Sequence, residues 1–193
     1  MTKVLLTGFE PFGKATLNPS GEIVKQISGD NIITAILPVA YAQSAERLLA
    51  LIAEHKPDVV ICLGQAEGRT HISLERIAIN LDDARLADNE GVIRNDVPIV
   101  VGGPVAYEST LPIKDIVKAI NDAGVPAAVS LSAGAFLCNH VFYVAQDHFK
   151  GTKVRSGFVH VPLMDEQTGE FPGLPTMPLD QMVKAVRTML EVL

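Results

Sequence analysis

Short apolar runs rich in β-branched residues recur at 4–9, 32–37, 58–63, 127–131 and 157–161, and each closes on Gly, Pro or Ser. That pattern predicts buried strands. Between them the apolar period lengthens to that of a helix. Tyr41, Ala45, Leu48, Leu49 and Ile52 share one face, with Pro57 closing the segment. Ile113, Ile116, Val117 and Ile120 repeat the geometry and stop at Gly124 and Pro126. Leu179, Met182, Val183, Val186, Met189, Leu190 and Leu193 form the cleanest stripe, which predicts a helix docked on a sheet. A sheet apolar on both faces must be covered on both, so the expected fold is α/β, a three-layer α/β/α sandwich.

Residues 69–104 break the alternation. Residues 70–82 read as one longer strand, Asp88-Asn-Glu-Gly91 as a turn, and 97–101 as a further strand. A hairpin-like excursion of this kind makes the expected sheet mixed, though mostly parallel. The chain shows no internal repeat, low-complexity tract or linker, so residues 1–193 are expected to form a single domain.

A hydrophobic share of 48% with 20% charged residues predicts a folded chain. The net charge of -6 and the lack of any basic run argue against a nucleic-acid partner, because phosphate binding rests on clustered Lys and Arg. No apolar stretch approaches the roughly 20 residues that span a bilayer, and the run before Gly8 is too short for the core of an export signal. The expectation is a soluble cytoplasmic protein without a membrane partner. Two cysteines make no disulfide framework and suit a reducing compartment.

Those two cysteines differ in context. Cys62 sits inside the apolar strand Val59-Val-Ile-Cys-Leu-Gly64 and reads as a buried small side chain. Cys138 follows a small-residue loop, Ser132-Ala-Gly-Ala-Phe-Leu-Cys-Asn139, where a helix is expected to begin. A thiol there is either one more buried side chain or a nucleophile whose pKa the helix N-terminus lowers. A thiol nucleophile needs a base, and five histidines compete. His140 shares the Cys138 helix at a spacing of two and points elsewhere. His148 lies toward the far end of that helix, and His55 suits a helix C-terminus. His160, in Gly157-Phe-Val-His-Val-Pro162, stands at the end of a strand, where parallel sheets place functional groups, although a backbone-bonded core histidine fits as well. Glu75 falls in a strand pattern that aligns it with Ile77, Ile79 and Leu81. A carboxylate in such company needs an Arg or a His, either as a structural ion pair or as the group that orients a catalytic imidazole.

Five segments in order carry a resemblance. They are Thr7-Gly-Phe-Glu-Pro-Phe-Gly13 with Asn18-Pro19, Gly64 to Gly68 leading into Ser73-Leu-Glu-Arg-Ile-Ala-Ile-Asn80, Asp83-Ala-Arg-Leu-Ala-Asp-Asn89, Ser132 to Asn139, and Ser156-Gly-Phe-Val-His-Val-Pro162. Over essentially its full length the chain resembles the pyroglutamyl peptidase I (pyrrolidone carboxyl peptidase) family of cysteine peptidases. The resemblance implies a cysteine-type omega-peptidase that hydrolyses the bond after an N-terminal pyroglutamyl residue, with a catalytic triad of Glu75, Cys138 and His160. It implies a lactam pocket of Phe9, Phe12 and Phe136, polar contacts from Asn18 and the backbone at Gln65, and Arg85 near the oxyanion. It also implies no cofactor, no metal and a homotetramer, with peptides bearing N-terminal pyroglutamate as partners. Two other readings stand beside it. One is a non-catalytic binder of blocked peptide N-termini, and the other is a nucleoside phosphorylase-like enzyme on a related fold.

Overall fold

The computed structural model describes residues 2–193. Its main sheet is built from β1 (Val4–Phe9), β2 (Ile32–Leu37), β3 (Val59–Gln65), β4 (Ile72–Glu75), β7 (Ala127–Ser130) and β8 (Arg155–Val161), in the order β2-β1-β3-β8-β4-β7. The first four strands of that order run parallel. β4 is antiparallel to β8, and β7 follows β4. The sheet is thus mixed and mostly parallel, as expected.

Strand alternation sorts the core into two layers. Val4 and Leu6, Val59, Ile61 and Leu63, Ile72 and Leu74, and Val159 and Val161 meet α1 (Pro19–Lys25), α3 (Ile113–Asp122) and α5 (Leu179–Val192). Leu5, Phe9, Val60, Cys62 and Phe158 face the other way, against α2 (Tyr41–His55) and α4 (Leu137–Phe149). The three-layer sandwich follows from that two-sided alternation.

α1 carries no amphipathic run long enough to register in the sequence pattern. It is started by Asn18, whose Oδ1 accepts from Ser20 N, and by Pro19 in its first turn. It also packs close: a Cβ on Gly8 would stand 2.3 Å from the Ser20 carbonyl oxygen, so only glycine lets the helix lie on β1.

The excursion differs from its expected form. The long strand over 70–82 breaks at Arg76, giving β4 and a separate β5 (Ile77–Ile79). β5 pairs antiparallel with β6 (Ala106–Glu108) in a small second sheet. Of the strand expected at 97–101 only a single bridge remains, Val97 to Asp82, while the turn at Asp88–Gly91 is present with Gly91 at φ +83°. The main sheet is therefore mixed because the first part of the excursion, β4, enters it reversed, while β5 and β6 form their own small sheet. Ile77 and Ile79 leave the face that carries Glu75. Beyond β8 the chain adds β9 (Leu163–Met164), a short 3-10 turn (Asp165–Gln167) and β10 (Thr176–Met177) before α5.

Candidate active site

β3 and β8 are neighbours in register, with Gly64 opposite His160. The alternation that turns Leu63 and Val161 toward one layer turns Gly64 and His160 toward α4. On the other side of β8 the reversed strand places Ser73 opposite His160 and Glu75 opposite Phe158. Glu75 and His160 are thus diagonal neighbours on one face, and Glu75 Oε1 lies 2.8 Å from His160 Nδ1. A carboxylate only accepts, so Nδ1 carries the hydrogen and Nε2 is the ring's basic nitrogen. Glu75 is fully buried and His160 nearly so.

The buried carboxylate has two partners, not one. Arg69 Nη2 stands 3.3 Å from the same Oε1, and Glu75 Oε2 is buried with no hydrogen bond. The sequence anticipates an Arg or a His beside Glu75; the structure supplies both. Arg69 itself closes the Glu67–Gly68 turn, its N–H donating to Ala66 O, with no pattern to single it out.

Cys138 is the second residue of α4, half-buried, on a helix start that no side chain caps. A Cβ on Gly64 would come within 2.8 Å of Cys138 Sγ and 2.7 Å of Phe158 Cζ. The sulfur therefore rests on the bare backbone of β3 at the residue paired with His160. Asn139, fully buried, fixes this start of the helix: its Nδ2 donates to Ile79 O and Leu81 O, and its Oδ1 accepts from Ile79 N. A helix N-terminus alone predicts a lowered thiol pKa. Here burial, then the Glu75 charge, then Cys62 push the Cys138 thiol up to about 12, and only the local backbone pulls it down. That upward shift favours the thiol over the thiolate, so a base is needed at the moment of attack.

Cys138 also lines a cavity of about 260 Å³ together with Phe9, Phe12, Asn18, Gln65 and Phe136. The Phe12 and Phe136 rings are 5.3 Å apart, and Tyr41 meets the Phe136 edge from behind at 5.7 Å. Such a space suits a small neutral ring. Asn18 spends most of its side chain on the chain itself, with Nδ2 donating to Glu10 O and Oδ1 taken by Ser20. Arg85 is exposed and is not among the lining residues, while its neighbour Leu86 is. Leu137 adds to the wall beside Cys138, and Val39, Glu67 and Leu86, which carry no sequence pattern that marks them, complete it.

The other histidines lie elsewhere. His140 is buried against Asp82, Nδ1 to Oδ2 at 2.9 Å, and Arg94 reaches the same oxygen at 2.7 Å. His55 ends α2 and His148 is exposed near the end of α4. Cys62 is buried within β3, which pushes its thiol up to about 11. Among the described residues no group of three or more His, Cys, Asp or Glu is placed to hold a metal ion, and no helix is long and apolar enough to cross a membrane.

A helix-borne thiol, a carboxylate-bound imidazole and a mixed sheet between helices define the class of α/β cysteine peptidases. The chain belongs to the pyroglutamyl peptidase family, whose model matches residues 2–193. It is 46% identical over 199 aligned positions to a pyrrolidone-carboxylate peptidase of Bacillus thuringiensis (strain Al Hakam), covering all of this chain and 93% of that protein. The crystal structure of Bacillus amyloliquefaciens pyroglutamyl peptidase I superposes with a TM-score of 0.95 at 44% identity, over 98% of this chain and 95% of that one. A mutant pyrrolidone carboxyl peptidase from Pyrococcus furiosus gives 0.92 at 44% identity, over 98% and 97%. Membership sets aside the phosphorylase-like and non-catalytic readings.

Proposed function

We propose that the chain removes N-terminal pyroglutamyl residues from peptides as a cysteine peptidase, with Cys138 as nucleophile, His160 as base and acid, and Glu75 as the group that orients His160. One observation carries the assignment of roles: the imidazole bound to Glu75 at 2.8 Å lies opposite Gly64, the residue on which the Cys138 sulfur rests. The five-membered lactam enters the cavity between Phe9, Phe12 and Phe136. It carries no ammonium, so an apolar wall with few polar groups suits it.

The Cys138 thiol passes its proton to His160 Nε2 as Sγ attacks the pyroglutamyl carbonyl carbon. The oxyanion forms beside the uncapped first turn of α4, where backbone N–H groups are free to donate. His160 then returns the proton to the departing amine, leaving a thioester. Water, deprotonated by His160, hydrolyses it and releases free pyroglutamate. Glu75 holds the ring in the tautomer this relay needs and stabilises the imidazolium. Nothing in the sequence calls for a cofactor or metal. Arg85 has no contact in this structure that supports an oxyanion role.

The same reading includes a cytoplasmic location, which suits a catalytic thiol that must stay reduced, a single domain over 1–193, and a homotetramer. Light scattering of the purified chain reads the last directly. For the chemistry, Cys138→Ser is expected to abolish hydrolysis of a pyroglutamyl fluorogenic amide; retained turnover ends the assignment.

A further inference from the structure

Glu75 is fully buried, its Oε2 has no hydrogen bond, and the imidazole it holds is buried almost as deeply. With an uncharged ring this pair carries one net negative charge, which a low-dielectric site opposes, so on its own the pair gains stability by taking up a proton. A proton on Nε2 leaves the ring unable to act as a base. Arg69 changes that balance. Among the described residues it is the one Lys or Arg within ion-pairing distance of Glu75, its Nη2 standing 3.3 Å from the oxygen that binds His160. The same nitrogen donates to Ser132 O at 3.5 Å, at the start of the loop that leads to Cys138. Carboxylate, guanidinium and uncharged imidazole sum to zero. The other groups that face the pair are the Cys138 thiol from α4, Ser73 opposite the ring on β4, and Phe158, whose ring lies 4.9 Å from the imidazole. Only the thiol titrates, and burial followed by the Glu75 charge holds its proton on the sulfur. Glu67 lines the cavity beside Cys138, and His71 turns to its own loop, Nδ1 3.4 Å from Thr70 Oγ1.

We infer that Arg69 is a positioning residue that counter-charges Glu75 and so sets the pH at which His160 becomes free to accept the Cys138 proton. This rests on the proposed triad roles and adds the group that balances them. Glu75 alone holds the ring in place but also favours the imidazolium before reaction starts. A proton taken from bulk water turns the cluster with Arg69 net positive, whereas one taken from the thiol leaves a thiolate behind and keeps the sum at zero. Arg69 therefore opposes the first and not the second. Its side chain is partly exposed, so solvent screens it and the effect belongs at the low end of what a close charge does, about one pH unit.

The test is the pH profile of kcat/KM on a pyroglutamyl amide for the parent, Arg69→Met and Arg69→Lys, with a histidine NMR titration of Cys138→Ser alone and combined with Arg69→Met. A nearby cation disfavours protonation of the pair, so its removal raises the midpoint. Arg69→Met is expected to move the acid limb up by about one unit, which lowers kcat/KM about ten-fold in the acid range. KM and the plateau kcat should stay within about three-fold of the parent, and Arg69→Lys should keep the limb in place. The His160 resonance, assigned by its loss in His160→Gln, should move by the same amount in the Cys138→Ser background, where no turnover is needed to read it. If Arg69→Met does not fold, Arg69→Gln, which is neutral and still donates, carries the same expectation. An unmoved limb and resonance, an equal shift in Arg69→Lys, or an about ten-fold rise in KM with the limb in place each overturns the inference, the last by making Arg69 a substrate contact. If the chain hydrolyses no pyroglutamyl amide while the resonance still moves, the proposed activity fails and the charge balance stands.

Discussion

Glu75 Oε1 is shared by His160 at 2.8 Å and Arg69 at 3.3 Å, so one buried oxygen meets both the imidazole and a guanidinium. Glu75→Gln keeps the shape and removes the charge. The expected result is a fall in kcat on the order of 10²-fold with KM little changed, because the lost stabilisation belongs to the imidazolium that exists during reaction. Steady-state kinetics on a pyroglutamyl amide decide it, and a rise in KM alone contradicts the orienting role.

Gly64 has no side chain because the sulfur occupies its place. A methyl there would lie 2.8 Å from Cys138 Sγ and 2.7 Å from Phe158 Cζ, with the strand backbone unable to yield. Gly64→Ala is expected to cost about 1–3 kcal/mol through overpacking. It should also lower kcat by at least about ten-fold, since small displacements of a nucleophile are costly. Thermal melting and kcat measured together test this, and an unchanged kcat counts against the placement of the thiol.

Asn139 ties α4 to the excursion through three side-chain hydrogen bonds. Asn139→Ala leaves Ile79 and Leu81 backbone groups unpaired and is expected to destabilise the chain by about 2–4 kcal/mol. Hydrogen exchange should quicken first at residues 77–83. Protection there equal to the parent's would show that the clamp does not hold that segment.

Alkaline pH supplies a further test. Burial raises the Cys62 thiol from 9.0 to about 11, so it stays protonated in the fold after the unfolded thiol has ionised. The folded state then holds more protons across that window, and its stability is expected to fall as pH rises from about 9 to 11, by about 2–3 kcal/mol from this group. Buried Tyr41 and Tyr143, both pushed up to about 12 chiefly by burial, act in the same direction at higher pH. Urea unfolding of Cys62→Ala should show a shallower alkaline slope, whatever its level at neutral pH. An unaltered slope would remove Cys62 from the account.

The strands that carry His160 and Cys62 were legible because parallel strands buried on both faces write continuous apolar runs, and β1 and β2 begin and end where the pattern places them. The excursion was not. Its apolar residues continue past Glu75 in strand-like alternation, yet the backbone turns at Arg76 and pairs with a segment some 30 positions later, a tertiary choice that local pattern does not encode. The partners of the site divide the same way. Phe9, Phe12 and Phe136 stand in motifs, whereas Arg69, Val39 and Leu86 reach the site from distant segments and leave no periodic trace. The helix at Pro19 was too short for an apolar stripe, so no periodic pattern marked it.

Because β4 enters the sheet head to tail with β8, its last residue lies two residue pairs farther from the cavity mouth than the ring it binds. An incoming peptide therefore reaches thiol and imidazole while the carboxylate stays behind them, shielded from water and from any cationic or amino group the peptide carries. The buried carboxylate governs proton movement from the rear, and the lactam meets the phenylalanine walls and the thiol on arrival, with Glu67 also lining its space.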